Sequence, residues 1–278
     1  MIPYKNRQRE APTFANINLL GRCNVDCFFC LGKDIEAELE GKNQLSTPFG
    51  MWKNFDEFLE ICKAEGIKNL YITGQNTDAL MYRYLIGLIN YLQGLGFNVG
   101  IRTNGYLFHI SPTSIDIANF CKRSVGISIH SLNPTTNYQI MGKSSIPDWK
   151  KIIPQIDNPR VSIVLNRYNE YEFFELLQFL KQFDNIRYVQ ARRVSTDTRY
   201  DQLKPDMDAY ERLYNYVRNI YPLVGKFYDA EIYRIEGVEV TFWPTVQTSV
   251  NSFNYFTDGT ISKEYFVVEG YLKNREIE

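Results

Sequence analysis

The chain has 278 residues, 44% hydrophobic and 23% charged, enough to bury a sizeable core; its net charge of −1 gives no electrostatic case for nucleic acid or an anionic membrane. No apolar run approaches the about 18 residues of a spanning helix, and Met1-Ile2-Pro3-Tyr4-Lys5-Asn6-Arg7 lacks a signal-peptide core, so a cytoplasmic location is expected. Five cysteines, three of them within eight residues, exclude a disulfide framework and point to metal or redox chemistry.

In chain order, short runs rich in Val, Ile and Tyr predict strands at 15–20, 69–73, 98–103, 124–130, 160–166 and 186–191. Runs of helical period lie between them. The first puts Phe55, Phe58, Leu59 and Cys62 on one face and stops at Gly66. The second carries Leu80, Tyr84 and Leu88 beside Met81, Leu85 and Leu92, and ends at Gly94 or Gly96. Ser111-Pro112 opens a third, Pro147 a fourth, 171–183 is a fifth, and Asp206 caps a sixth bearing Tyr210, Leu213, Val217 and Ile220.

Strands spaced by helices pair in parallel. A full eight-fold barrel takes about 250 residues, and the alternation here stops near residue 221. The expected fold is α/β, a partial (β/α)6 TIM-like barrel over residues 1–221, with a β-rich extension over 222–278 packed on its open side or mouth. That extension predicts two hairpins. One pairs 231–235 with 238–242 about Glu236-Gly237; the other pairs 254–257 with 260–262 about Asp258-Gly259, a pair suited to a type I′ turn. Its aromatics Trp243, Tyr255, Phe256, Tyr265 and Phe266 read either as core or as a substrate wall, with Tyr255 a candidate substrate contact.

Residues 22–32 read Arg-Cys-Asn-Val-Asp-Cys-Phe-Phe-Cys-Leu-Gly, placing Cys23, Cys27 and Cys30 in a Cys-x3-Cys-x2-Cys loop directly after the first strand. Such a loop can wrap three thiolates around one face of a four-iron cubane and leave one iron open. The rival is structural zinc with a fourth ligand, for which only His109 and His130 exist. Cys62 lies on an apolar helix face and Cys121 ends another helix; both read as core thiols. No cysteine follows residue 121, so no auxiliary cluster is expected.

The motif, with Phe29 just before its third cysteine, resembles that of the radical S-adenosylmethionine (SAM) superfamily, and the resemblance runs over about residues 15–200. It implies a [4Fe–4S] cluster on Cys23, Cys27 and Cys30, whose open iron chelates SAM. It also implies an oxygen-sensitive enzyme that cleaves SAM reductively to a 5′-deoxyadenosyl radical, fed by a flavodoxin- or ferredoxin-like donor. Where the family has Gly-Gly-Glu to receive the SAM amino group, this chain has Gly74-Gln75-Asn76; those residues, or Asp78 after a two-residue insertion, would take that role.

Ile101-Arg102-Thr103-Asn104-Gly105 resembles the Thr-Asn-Gly segment of members related to molybdenum-cofactor biosynthesis and of activases, making Thr103 a candidate SAM contact. Ser128 matches the position that meets the SAM carboxylate. Arg192, sharing a strand face with Gln190, is preferred over Arg193 as a carboxylate fork. His130 reads as a substrate ligand or a core imidazole, and Asn166, in a stretch similar to the same branch, as a further substrate candidate. The substrate, a small molecule or a peptide, is not legible. A glycyl-radical-enzyme activase is an alternative, against which strand four carries Ser128-Ile129-His130 in place of the Asp-Leu-Lys of typical activases. A non-catalytic protein with a three-cysteine metal site is another.

Overall fold

The computed structural model describes residues 14–39, 41–196, 198–228, 230–244, 252–263 and 271. Its strands are β1 (Phe14–Leu20), β2 (Asn69–Gln75), β3 (Asn98–Thr103), β4 (Val125–Ser128), β5 (Pro159–Leu165), β6 (Val189–Arg193), β7 (Leu223–Phe227), β8 (Ala230–Ile235), β9 (Val238–Trp243), β10 (Ser252–Phe256) and β11 (Ile261–Ser262). They form one sheet in the order β11-β10-β1-β2-β3-β4-β5-β6-β9-β8-β7. The first six run parallel in chain order, as their helical connections require. The sheet is not closed: β11 and β7 end it, and the architecture is an open, partial α/β barrel.

Strand alternation separates two environments. Ala15, Ile17, Leu19, Leu70, Ile72, Ile101, Ile127, Ile163 and Ala191 point outward into one core with the helices. The helix Phe55–Ala64 answers with Phe55, Phe58, Leu59 and Cys62. Cys62 is fully buried there and its thiol is pushed up to about 12 by burial, so it is core, as is Cys121. The opposite strand face is polar: Asn16, Asn18, Tyr71, Arg102, Ser128, Arg160, Gln190 and Arg192 occupy its alternate positions. A filled TIM barrel stacks branched apolar side chains in its interior. This one keeps a hydrophilic interior, suited to a polar ligand.

Several elements depart from the sequence expectations. The second helix starts at Leu85, preceded by a 3-10 turn over Ala79–Met81 that Asp78 caps through the Leu80 N–H at 2.9 Å. Pro147 opens only the short helix Trp149–Ile152. An eight-residue helix, Pro134–Met141, stands unanticipated before it, with Asn133 as N-cap and Pro134 in the first turn. The last helix runs over Tyr200–Ile220, so Asp206 lies inside it and is no cap. Its buried carboxylate instead accepts from the Arg167 backbone N–H at 3.1 Å and guanidinium at 2.9 and 2.7 Å, fixing the loop after β5.

The described strands of the extension join the sheet itself. Its β9 pairs parallel to β6 and its β10 parallel to β1, so it lengthens the sheet at both edges. The first hairpin turns on Glu236 and Gly237, both at positive φ; in the second only Gly259 is, with the Gly259 N–H on Phe256 O. That is a three-residue loop with a left-handed glycine and not the type I′ turn. Tyr265 and Phe266 lie outside the described residues.

Candidate active site

The cysteine loop leaves β1 at Leu20 and crosses the carboxyl ends of the strands. Two backbone bonds hang it on the end of the helix Pro134–Met141: Asp26 N–H donates to Met141 O at 2.8 Å and Phe28 N–H to Ile140 O at 3.2 Å. These are carbonyls that a helix end leaves without an internal partner. On the far side Arg199 donates to the Phe28 and Cys30 carbonyls, 2.8 Å each, and to the buried Asp34 carboxylate. Cys30 N–H bonds Cys27 O at 3.1 Å, and Lys33 N–H bonds Cys30 O at 3.0 Å. All three motif thiols are held on one short, doubly anchored loop.

Burial pushes each thiol up: Cys23 to about 11, Cys27 well above its ordinary value, and Cys30 upward against Gly32 N–H, Lys33 and Arg199. The neighbouring thiols Cys30 and Cys23 add to the rise at Cys27. Three adjacent soft donors that cannot ionise cheaply alone fit a group that brings its own positive charge, as an iron–sulfur cluster does. Among the described residues no three His, Cys, Asp or Glu side chains converge on a single ion. A cubane takes one thiolate per iron, so its ligands need not converge. Neither histidine serves as a fourth zinc ligand: His109 is exposed, and His130 spends Nδ1 on the Val164 N–H at 3.1 Å.

The structure sorts the remaining sequence candidates. Phe29 lies edge-on to His130 with ring centroids 5.2 Å apart, directly beside Cys30. Gly74, Gln75 and Asn76 form the corner ending β2. Asn76 is left-handed (φ 55) and packs on Gly32 so closely that a Cβ there would lie 2.6 Å from Asn76 Cβ. The corner therefore adjoins the cysteine loop. Asp78 does not point into it: its carboxylate accepts from Thr103 Oγ1 at 2.9 and 3.0 Å and from Asn104 N–H at 2.6 Å. Burial pushes that carboxyl up, and these donors oppose the shift. Thr103 also accepts from Gly105 N–H at 2.9 Å, so Asp78 and Thr103 bond each other and the turn beside the cysteine loop.

Ser128 lies half-buried on the inner face of β4, and Arg192 on the inner face of β6, whereas Arg193 turns out to Glu211 at 3.2 Å. Asn166 holds the turn after β5, its amide donating to Val164 O and its side-chain carbonyl accepting from Tyr168 N–H. Tyr255 is corrected. It points outward from β10 into the helix core, 5.2 Å from the rings of Phe55 and Phe58, with its hydroxyl donating to Lys53 O at 2.8 Å. His130 is buried and neutral, its pKa pushed down to about 4 by desolvation.

Two residues at the site escaped the sequence reading. Asn104 places Nδ2 3.6 Å from Cys23 Sγ and 2.7 Å from Asn24 Oδ1. Its signal was the Thr-Asn-Gly triplet, read for the threonine alone. Arg199 carried no local signal, because its partners are about 170 residues away.

Three thiols over the mouth of an open parallel barrel with a polar interior define a class: α/β-barrel proteins with a cysteine site at the carboxyl ends of their strands. The family model of the Radical SAM superfamily matches residues 17–180, and this chain belongs to that superfamily. It is thus a SAM-dependent enzyme. It is 23% identical over 198 residues to GTP 3′,8-cyclase of Aquifex aeolicus, covering 66% of this chain and 58% of that one. It is 29% identical over 122 residues to the S-adenosylmethionine-dependent nucleotide dehydratase of Selenomonas ruminantium, covering 44% of this chain and 40% of that one. This chain thus spans 58% of the first of these relatives and 40% of the second. Streptococcus suis SuiB bound to S-adenosylmethionine shares the fold at a TM-score of 0.62 and 17% identity, covering 90% of this chain and 57% of SuiB. SuiB bound to precursor peptide SuiA gives 0.63 at 17% identity, over 92% of this chain and 60% of that one.

Proposed function

We propose that the chain cleaves SAM reductively to methionine and a 5′-deoxyadenosyl radical, which takes a hydrogen atom from a substrate held in the barrel. Cys23, Cys27 and Cys30 would hold a [4Fe–4S] cluster, which when bound supplies the electron for that cleavage. The observation that carries the reading is the three-thiol loop, clasped by Arg199 and the helix end, against the Gly74–Gln75–Asn76 corner. Asn104 Nδ2 and the backbone N–H groups beside Cys23 and Cys30 lie against the sulfurs and would tune their potential. The corner offers acceptors for the SAM amino group, Ser128 and Arg192 offer donors for its carboxylate, and Phe29 walls the site toward His130. A flavodoxin- or ferredoxin-like protein would deliver the electron in a reducing compartment such as the cytoplasm. The named relatives act on GTP or a nucleotide, and SuiB binds a precursor peptide. A small molecule and a peptide are therefore the substrate classes to test.

The test is anaerobic reconstitution with iron and sulfide, then SAM and dithionite, with 5′-deoxyadenosine quantified. We expect a four-iron cluster and 5′-deoxyadenosine, both lost in Cys27→Ala. A protein that takes up zinc and no iron–sulfur cluster would overturn the assignment.

A further inference from the structure

Asp78 is a buried carboxylate to which the surrounding turn brings no counter-charge. It is 3% exposed, and among the described residues no lysine, arginine or histidine pairs with it. A buried anion of this kind is costly, and proteins seldom keep one without a cation beside it. What holds it is a set of donors: the Leu80 N–H at 2.9 Å, the Thr103 hydroxyl at 2.9 and 3.0 Å, and the Asn104 N–H at 2.6 Å. Such donors favour the ionised form against the burial that opposes it.

Two routes tie this carboxylate to the first cysteine of the loop. Gly74 folds the corner so tightly that a Cβ there would lie 1.9 Å from Thr77 O, and Thr77 Oγ1 donates to Arg22 O at 3.1 Å, next to Cys23. From the other side Asn104, whose backbone N–H donates to Asp78, brings its side-chain Nδ2 to 3.6 Å from Cys23 Sγ. Asn104 Oδ1 accepts from the Tyr106 N–H at 3.0 Å, which fixes the amide with its own N–H groups toward the sulfur. The charge is felt at that sulfur. Burial does most to push the Cys23 thiol up, the Val25 N–H opposes it, and the Asp78 anion adds to the rise. At Cys30 the fixed charges have the other sign, since burial is opposed there by the Gly32 N–H, Lys33 and Arg199.

We infer that Asp78 lowers the reduction potential of a cluster on these cysteines, acting at Cys23 against the amide of Asn104; the inference rests on the function proposed above. An added electron puts more negative charge beside an anion already buried there, which is unfavourable where water screens poorly. Net charge and hydrogen bonds to the sulfurs are the means by which a protein sets such a potential. The Asn104 amide stabilises the added charge and so works in the opposite direction. Asp78 makes no hydrogen bond to a motif sulfur; it is a positioning residue, acting by its charge and by its hold on Asn104. A lower potential makes the reduced cluster the stronger electron donor, which is what cleaving SAM demands.

The test is a redox titration of the full chain, reconstituted with iron and sulfide and kept free of SAM. Dithionite supplies one electron per cluster, and the reduced form is counted by electron paramagnetic resonance. Asp78→Asn, which removes the charge and keeps the shape, should favour reduction about tenfold, or about 59 mV for one electron. Thr103→Val loosens the same turn and keeps the charge. A rise there as large as in Asp78→Asn would assign the effect to loosening and overturn the inference. Should Asp78→Asn assemble no cluster, Asn104→Ser decides. Its hydroxyl still caps the Tyr106 N–H but withdraws the amide donor, so reduction should become harder, and an unmoved or raised potential would overturn the assignment. An unmoved potential in a loaded Asp78→Asn chain overturns it as well, and lost SAM affinity beside that result would return Asp78 to the SAM amino group. Either result leaves the function proposed above standing, whereas a parent chain that assembles no four-iron cluster would overturn both.

Discussion

Arg199 decides how firmly the cysteine loop is held, because one guanidinium satisfies two loop carbonyls and a buried carboxylate at once. Lysine keeps the charge but not the fork. Arg199→Lys is expected to cost about 2 kcal/mol or more and to lower iron retained per chain after reconstitution and gel filtration. Full iron retention at unchanged stability would show that the loop holds itself. His130 gives a second residue-scale prediction. Its folded pKa of about 4 lies below the ordinary 6.5, so between those values the unfolded chain binds a proton that the folded chain does not. Stability therefore falls as pH drops from about 6.5 to about 4, by up to about 3 kcal/mol. Thermal midpoints of the cluster-free protein should show this slope, flattened in His130→Gln. At this scale the three-thiol loop was legible because its cysteines lie within eight residues of one another. The pairings of Asp78, Thr103 and Asn166 were not legible, because each bonds backbone or side chains that only the folded turn brings near.

At the scale of elements, the six core strands were legible because Val and Ile alternate with polar residues, and that alternation is also what gives the barrel its hydrophilic interior. The helix Pro134–Met141 was not. Over eight residues it shows too little apolar period to stand out, and its role is to present terminal carbonyls to Asp26 and Phe28. Tyr255 illustrates the same boundary, since an aromatic on a strand does not announce which face it takes. On the observed outer face its hydroxyl makes one hydrogen bond, to Lys53 O. Tyr255→Phe should cost about 1 kcal/mol and leave 5′-deoxyadenosine formation unchanged; lost activity in a folded protein would return Tyr255 to the substrate site.

For the whole molecule, the question is whether the segment after residue 221 is an appendage or part of the barrel. The six-unit count was right for the helical alternation, yet the sheet recruits strands from beyond it at both edges. Its β10 brings Asn254, whose side-chain carbonyl accepts from Asn16 at 2.9 Å, and also brings Phe253 and Tyr255, which pack on Phe58. Its β9 covers β6 and supplies Phe242 to the cluster of Phe173, Tyr210 and Tyr214. Removing the segment would bare two long parallel edges, β1 and β6, and leave those aromatic faces open to water. These losses reach opposite ends of one core, so they cannot be absorbed locally. A chain ending at residue 221 is accordingly expected to lack a cooperative thermal transition by circular dichroism and to self-associate through its exposed edges. A sharp transition in a monomeric 1–221 chain would instead make the barrel an independent domain and the extension its accessory.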